Sequence, residues 1–156
     1  MISETTKKKI AEEAGKYPQR RSALLLSLYL VQGEEGYITK EGVEAIAGIL
    51  GITPTEVWSV AGFYTMFNFK EVGKKYVQVC KNISCNLVGA ERIIDHLSRR
   101  LGIPVGGTTA DGMFTLSVVE CLGSCGTGPM MQVNDDYYES LTEAKVDEIL
   151  EALRKS

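Results

Sequence analysis

The hydrophobic period of the chain changes once, near residues 70–75, and that switch limits the folds open to it. Before it, every apolar run has helical spacing. Ser3 is placed to cap a first helix reaching Lys16. Pro18 fits the first turn of a second helix, where its missing N–H costs no helical hydrogen bond. The run ALLLSLYLV carries this second helix to Gly33 and Gly36 and is apolar on nearly all sides, which predicts burial between other helices. Thr39 opens a third helix containing VEAIAGIL, closed by Gly51. Thr53-Pro-Thr-Glu56 has the form of a capping box with proline at the first helical position, and it opens a helix carrying Val57, Trp58, Ala61 and Tyr64. These elements predict a small helical bundle or arm over residues 1–72.

From Lys75 the pattern mixes strands and helices. KYVQVC reads as a strand. LVGAERIIDHLSRRLG reads as one amphipathic helix, with Leu87, Ala90, Ile94, Leu97 and Leu101 sharing a face and Gly102 ending it. The sole histidine, His96, falls off that face and reads as a solvated surface residue, not a ligand. PVGGTTADG is a loop, FTLSVVEC a second strand and PMMQV a third. Asn134-Asp135 signals a turn into a strand at Tyr137-Tyr138, and Thr142 caps a last helix, EAKVDEILEALRK. The order β-α-β-β-β-α over residues 73–156 is close to the thioredoxin arrangement. The expected fold class is therefore α+β.

The only four cysteines fall in two tight pairs, each just after a strand pattern: Cys80-x4-Cys85 and Cys121-x3-Cys125. No apolar signal-peptide core opens the chain, and the longest apolar stretch, Ala23 to Val31, is far short of the ~20 residues that span a bilayer. These features predict a cytoplasmic protein, where an even cysteine count points to metal or catalysis before disulfides. The net charge of −3 gives no basic excess for nucleic acid or an anionic membrane surface. Four readings compete for the thiols. Buried small hydrophobes do not explain the pairing. Dithiol catalysis usually uses Cys-x-x-Cys, which is absent. Structural zinc takes four thiolates but commonly from closer knuckles. A [2Fe–2S] cluster takes two thiolates per iron, which two separate pairs supply, and Gly123, Gly126 and Gly128 would leave backbone N–H groups free to face cluster sulfurs. Cys85, placed before a helix N-terminus, would be favoured as a thiolate there.

Cys80-x4-Cys85 together with CLGSCGTGPMMQVNDDYYESLT resembles the thioredoxin-like [2Fe–2S] subunit of NADH:quinone oxidoreductase, respiratory complex I. The same family supplies the small iron–sulfur subunit of NAD-linked hydrogenases and formate dehydrogenases. YPQRRSALLLSLYLVQGEEGYI and VWSVAGFYTMF are similar to that family's helical arm, so the resemblance covers nearly the whole chain. It implies one [2Fe–2S] cluster, with Cys80 and Cys85 on one iron and Cys121 and Cys125 on the other. It implies an electron-carrying subunit with no substrate site of its own. The implied partner is a flavoprotein subunit holding FMN and NADH within a larger iron–sulfur complex, with residues 1–72 as a docking element and a peripheral place on the cytoplasmic side of the membrane. No GxGxxG or Walker loop is present, so no nucleotide is expected on this chain. All-cysteine ligation implies a low potential, near about −400 mV in plant-type centres. Trp58, Phe63, Tyr64, Phe67 and Phe69 form an aromatic cluster expected mainly in the core, with a share facing a partner. Met130 and Met131 are expected beside the cluster, and Pro129 to carry a cis peptide bond, as the fold resembled implies.

Overall fold

The computed structural model describes residues 2–155 and contains two compact units, one ending at Glu71 and the other beginning at Val72. The first unit is helical. Glu4–Ala14 (α1) starts at Ser3, whose hydroxyl accepts from the Thr6 N–H at 3.2 Å. The segment after Pro18 forms a short 3₁₀ turn, Arg20–Ala23, before Leu24–Glu35 (α2). Gly36 ends α2 in the left-handed region. Lys40–Leu50 (α3) is capped by Thr39, and Pro54–Phe63 (α4) by the full Thr53/Glu56 capping box.

Three expectations need correction here. The second helix begins at Leu24, because the chain first needs a turn to bring Ala23 and Leu24 onto the core. It is also not buried all round: Leu24, Leu28 and Val31 face the core, while Leu26 and Tyr29 are exposed. The unit's core is built from Ile10, Leu28, Val31, Val43, Ile46, Leu50, Val57 and Phe67, among others. Gln32 ties down the segment after α4, donating to Met66 O at 3.0 Å and accepting from the Asn68 N–H at 2.7 Å. Of the aromatic cluster, only Phe67 is buried. Phe63 is 77% exposed, and Phe69 and Trp58 stack on each other in solvent with ring centroids 5.8 Å apart. The core is already filled by aliphatic side chains, which leaves these rings outside.

The second unit is a four-stranded sheet with helices packed against it. Its strands are Lys75–Cys80 (β1), Phe114–Val119 (β2), Met131–Val133 (β3) and Asp136–Tyr138 (β4), in the order β2-β1-β3-β4. β1 runs parallel to β2, with Cys80 opposite Val119. β3 is antiparallel to β1, with Met131 opposite Val79. The expected single helix after β1 is two pieces, Ile83–Leu87 (α5) and Ala90–Leu101 (α6), divided at Gly89 in the left-handed region. The break turns Leu87 out to 83% exposure, and α6 presents Ile93, Leu97 and Leu101 to the core with Ile94 packed partly buried beside them. Glu143–Lys155 (α7) completes the unit and contributes Val146, Ile149 and Leu150. No single helix among the described residues is long and apolar enough to cross a membrane.

Candidate metal centre

The sheet topology brings both cysteine pairs to one end of the second unit. β1 and β2 are parallel, so Cys80 at the last residue of β1 and Cys121 just past β2 leave the sheet on the same side. β3 is antiparallel, so the segment that precedes it, with Cys125, starts from that side too. The Cys80 N–H donates to Met130 O at 3.2 Å, and the Lys81 N–H to Val119 O at 3.0 Å. The two strands and the loop thus close over one another where the cysteines emerge.

Within each pair the surroundings differ. Cys80 and Cys85 are buried, at 3% and 2% exposure, beside Ala90, Met130 and the partly buried Leu122. Cys121 and Cys125 are exposed. Cys85 lies inside α5, capped by Asn82, and not before a helix N-terminus. Burial pushes its thiol up to about 11, reinforced by its hydrogen bond with Cys80 and the charge there, against the Met130 backbone donor that favours the thiolate. The expected helix-end stabilisation of a Cys85 thiolate is therefore reversed, because loss of water outweighs it. Cys125 acts on the same thiol as a nearby charge, so the two pairs sense each other. All four thiols are free.

Backbone and glycine geometry shape the rest. The Gly123 N–H donates to Cys121 Sγ at 3.3 Å, the kind of donor expected from the glycines of this loop. A methyl group added at Gly128 would lie 3.2 Å from Cys85 Sγ and 3.1 Å from Val88 Cγ2, so this glycine lets the loop backbone approach the buried thiol. Gly128–Pro129 is a cis peptide bond, as expected, and Met130 is fully buried against Cys80 and Cys85. Met131 packs in the main core of the sheet, away from that cluster.

Four thiols are the donor set of an iron–sulfur cluster or a zinc ion. Among the described residues no three or more His, Cys, Asp or Glu side chains gather around a single point. The thiols are instead distributed as two pairs. The chain matches the family model for thioredoxin-like [2Fe-2S] ferredoxins over residues 10–154. The chain belongs to this family. It is 44% identical over 150 residues to an NADH-quinone oxidoreductase subunit of Rhizobium meliloti, covering 96% of this chain and 89% of that protein. It is 47% identical over 148 residues to NADH-quinone oxidoreductase subunit 2 of Thermus thermophilus, covering 93% and 82%. The fold is also similar to that of an NAD⁺-reducing [NiFe]-hydrogenase, with a TM-score of 0.74 at 19% identity over 85% of this chain and 23% of that one. The [2Fe–2S] group in the family's name is one cluster per thioredoxin-like domain.

His96 differs from its sequence reading. Its ring is only 13% exposed, and Nε2 donates to Asp147 on α7 at 2.8 Å, while Arg100 Nε donates to the same carboxylate oxygen at 2.7 Å. It holds α6 against α7 and is far along α6 from the cysteines. Glu139 also had no role in the sequence reading. Its carboxylate accepts hydrogen bonds from Ser124 and Thr127, which flank Cys125, and no local motif marks a contact made across a hairpin.

Proposed function

We propose that this chain is the [2Fe–2S] electron-transfer subunit of an NADH-oxidising complex of the NADH:quinone oxidoreductase type, holding its cluster through Cys80, Cys85, Cys121 and Cys125. The observation that carries the reading is the convergence of two cysteine pairs at one end of the sheet, in a chain that aligns almost end to end with subunits named for that enzyme. When bound, the cluster takes up and returns one electron at a time. The protein's part is to supply thiolates, shelter and hydrogen bonds. Cys80 and Cys85, buried beside Met130 and Ala90, would hold one iron away from water. Cys121 and Cys125, which are exposed, would hold the other iron on the side open to a partner. Burial holds the Cys85 thiol above its ordinary range, so the positive charge of a bound metal would be needed to keep it as a thiolate.

The partner that fits this reading is a flavoprotein subunit carrying FMN and NADH, because a flavin gathers electrons in pairs and a one-electron carrier removes them singly. The helical unit serves as its docking element. The exposed Trp58, Phe63 and Phe69 support this, since aromatic side chains favour interfaces and clustered apolar exposure marks contact surfaces. The subunit then sits at the periphery of a membrane complex, on the cytoplasmic side. The equivalent subunit of an NAD-linked hydrogenase is the second reading, favoured by the fold shared with the NAD⁺-reducing hydrogenase.

Iron and acid-labile sulfide on anaerobically purified protein, with reduced-state EPR, test the assignment. About two iron and two sulfide per chain and a rhombic signal on reduction are expected. Cys121→Ser is expected to lose or shift that signal. A Cys121→Ser protein with the wild-type spectrum and iron content would remove this cysteine from the ligand set, and one zinc without sulfide in the parent would replace the carrier with a structural module.

A further inference from the structure

We propose that Glu139 is a positioning residue for the outer cysteine pair, setting how firmly the cluster is held and at what potential it works. The proposal rests on the ligand assignment above. The loop from Cys121 to Gly128 contains only one short 3₁₀ turn, Cys125–Thr127, and its two cysteines are exposed. The parallel ladder ends at Val119, so the sheet itself does not fix the loop. The grip comes from the chain leaving β4. The Tyr137 hydroxyl donates to Leu122 O at 2.8 Å, the carbonyl just after Cys121. Two residues on, and so on the same side of an extended chain, Glu139 Oε1 accepts from the Ser124 hydroxyl, just before Cys125, and from the Thr127 hydroxyl at 2.6 Å, two residues after it. The Ser124 and Thr127 hydroxyls also meet at 2.6 Å, and the Ser140 N–H donates to Thr127 O at 2.7 Å. Lys145 Nζ, from α7, donates to the Glu139 carbonyl at 2.6 Å and anchors the arrangement to the body of the unit.

A carboxylate is suited to this task. It accepts from two hydroxyls at one oxygen, and hydrogen bonds to a charged acceptor are stronger than neutral ones. It also places a negative charge beside a cluster whose own negative charge grows on reduction, so it should disfavour the reduced state. Grip and charge can be separated by substitution. Glu139→Gln keeps an oxygen acceptor and removes the charge, whereas Glu139→Ala removes both.

The test uses the full-length, cluster-loaded chain. It measures the rate at which EDTA bleaches the cluster, the midpoint potential, the EPR g values and the thermal unfolding midpoint of each variant. Loss of a group that orients a metal ligand typically costs about 10- to 100-fold in metal retention. Glu139→Ala is therefore expected to bleach about tenfold faster or more, with altered g values. Glu139→Gln should restore most of the retention and raise the potential. Ser124→Ala with Thr127→Val removes the donors from the loop side and should reproduce the Glu139→Ala rate, and adding Glu139→Ala to that pair should change little further. Wild-type rates and g values in Glu139→Ala overturn the proposal. So do additive losses in the combined variant, and an accelerated rate matched only by a lower unfolding midpoint with unchanged g values and potential. Cys125→Ser is the control: retention of the full cluster there would bring down the ligand assignment itself, whereas its loss with a wild-type-like Glu139→Ala would bring down the Glu139 proposal alone.

Discussion

At the scale of single residues, the site is shaped as much by what is missing as by the thiols. Gly128 shows this. Its φ is an ordinary −68°, so backbone freedom does not demand glycine. What demands it is the closeness of Cys85 Sγ and Val88 Cγ2 to where a β-carbon would stand. Both neighbours are themselves constrained, Cys85 by burial in α5 and Val88 by its β-branch. Gly128→Ala should therefore push the loop carrying Cys125 away from the buried pair. We expect a stability cost of about 1–3 kcal/mol, typical of overpacking, together with faster cluster loss. Thermal unfolding of the apo chain checks the first, and chelator-driven bleaching the second. Unchanged bleaching in Gly128→Ala would show that the approach of loop and thiol is not needed by the cluster. Cys85 illustrates the limits of reading residues singly. Its place after a strand was legible in the sequence. Its burial was not, because it depends on Met130 and Leu122 arriving from a distant part of the chain.

At the scale of elements, local signals were legible and contacts between elements were not. Thr53 and Glu56 gave the capping box and start of α4, since both partners lie within one helical turn. Ser3 and Thr39 gave the starts of α1 and α3 for the same reason. The break between α5 and α6 was hidden, because Leu87, Ala90 and Leu97 keep helical spacing across Gly89 and only its left-handed backbone reveals the division. His96 looked solvated when α6 was viewed alone, but α7 brings Asp147 to its ring. That pairing makes a prediction. Asp147 is held below the usual carboxylate range, chiefly by the hydrogen bond from His96, with Arg100 adding to the effect against partial desolvation. A lowered folded value means that the carboxylate stabilises the fold above its unfolded value near about 3.9 and that this contribution is lost as pH falls through the folded value. Below both values none of it remains. Asp147→Asn should lower stability at neutral pH and flatten the acid limb of the stability profile below about pH 4. Because Asp147 is partly exposed, the difference should shrink in high salt. Urea unfolding from about pH 3 to about pH 7 checks this. Parallel profiles for the two proteins would show that the His96–Asp147–Arg100 contact contributes nothing to holding α6 on α7.

At the scale of the whole molecule, the described residues build two main cores, one in each compact unit. The helical unit's buried cluster runs from Ile2 to Phe67, and that of the sheet unit from Val77 to Leu150, with no residue belonging to both. All four cysteines and the contacts that shape them lie in the second unit, including Glu139, Tyr137 and the Met130 backbone. A chain starting at Val72 therefore keeps its sheet, the helices packed on that sheet and all four cysteines. It should fold and assemble the cluster, with an EPR signal matching that of the full chain. What it loses is the first unit and the exposed rings of Trp58, Phe63 and Phe69. If these rings dock the flavoprotein, the truncated chain should carry about two iron per chain but fail to co-purify with the FMN-binding subunit when the two are produced together. Full-length protein with Trp58→Ala and Phe69→Ala should weaken the same association without touching the cluster spectrum. Hot-spot aromatics at interfaces each cost about 2 kcal/mol or more on truncation, so the combined loss should exceed about tenfold in affinity. A truncated chain that binds the partner as well as the full one would move docking to the sheet unit. The exposed apolar surface beside the cysteines there is Ile83, Leu87 and Val88 on and next to α5, and the next substitutions would belong on those residues.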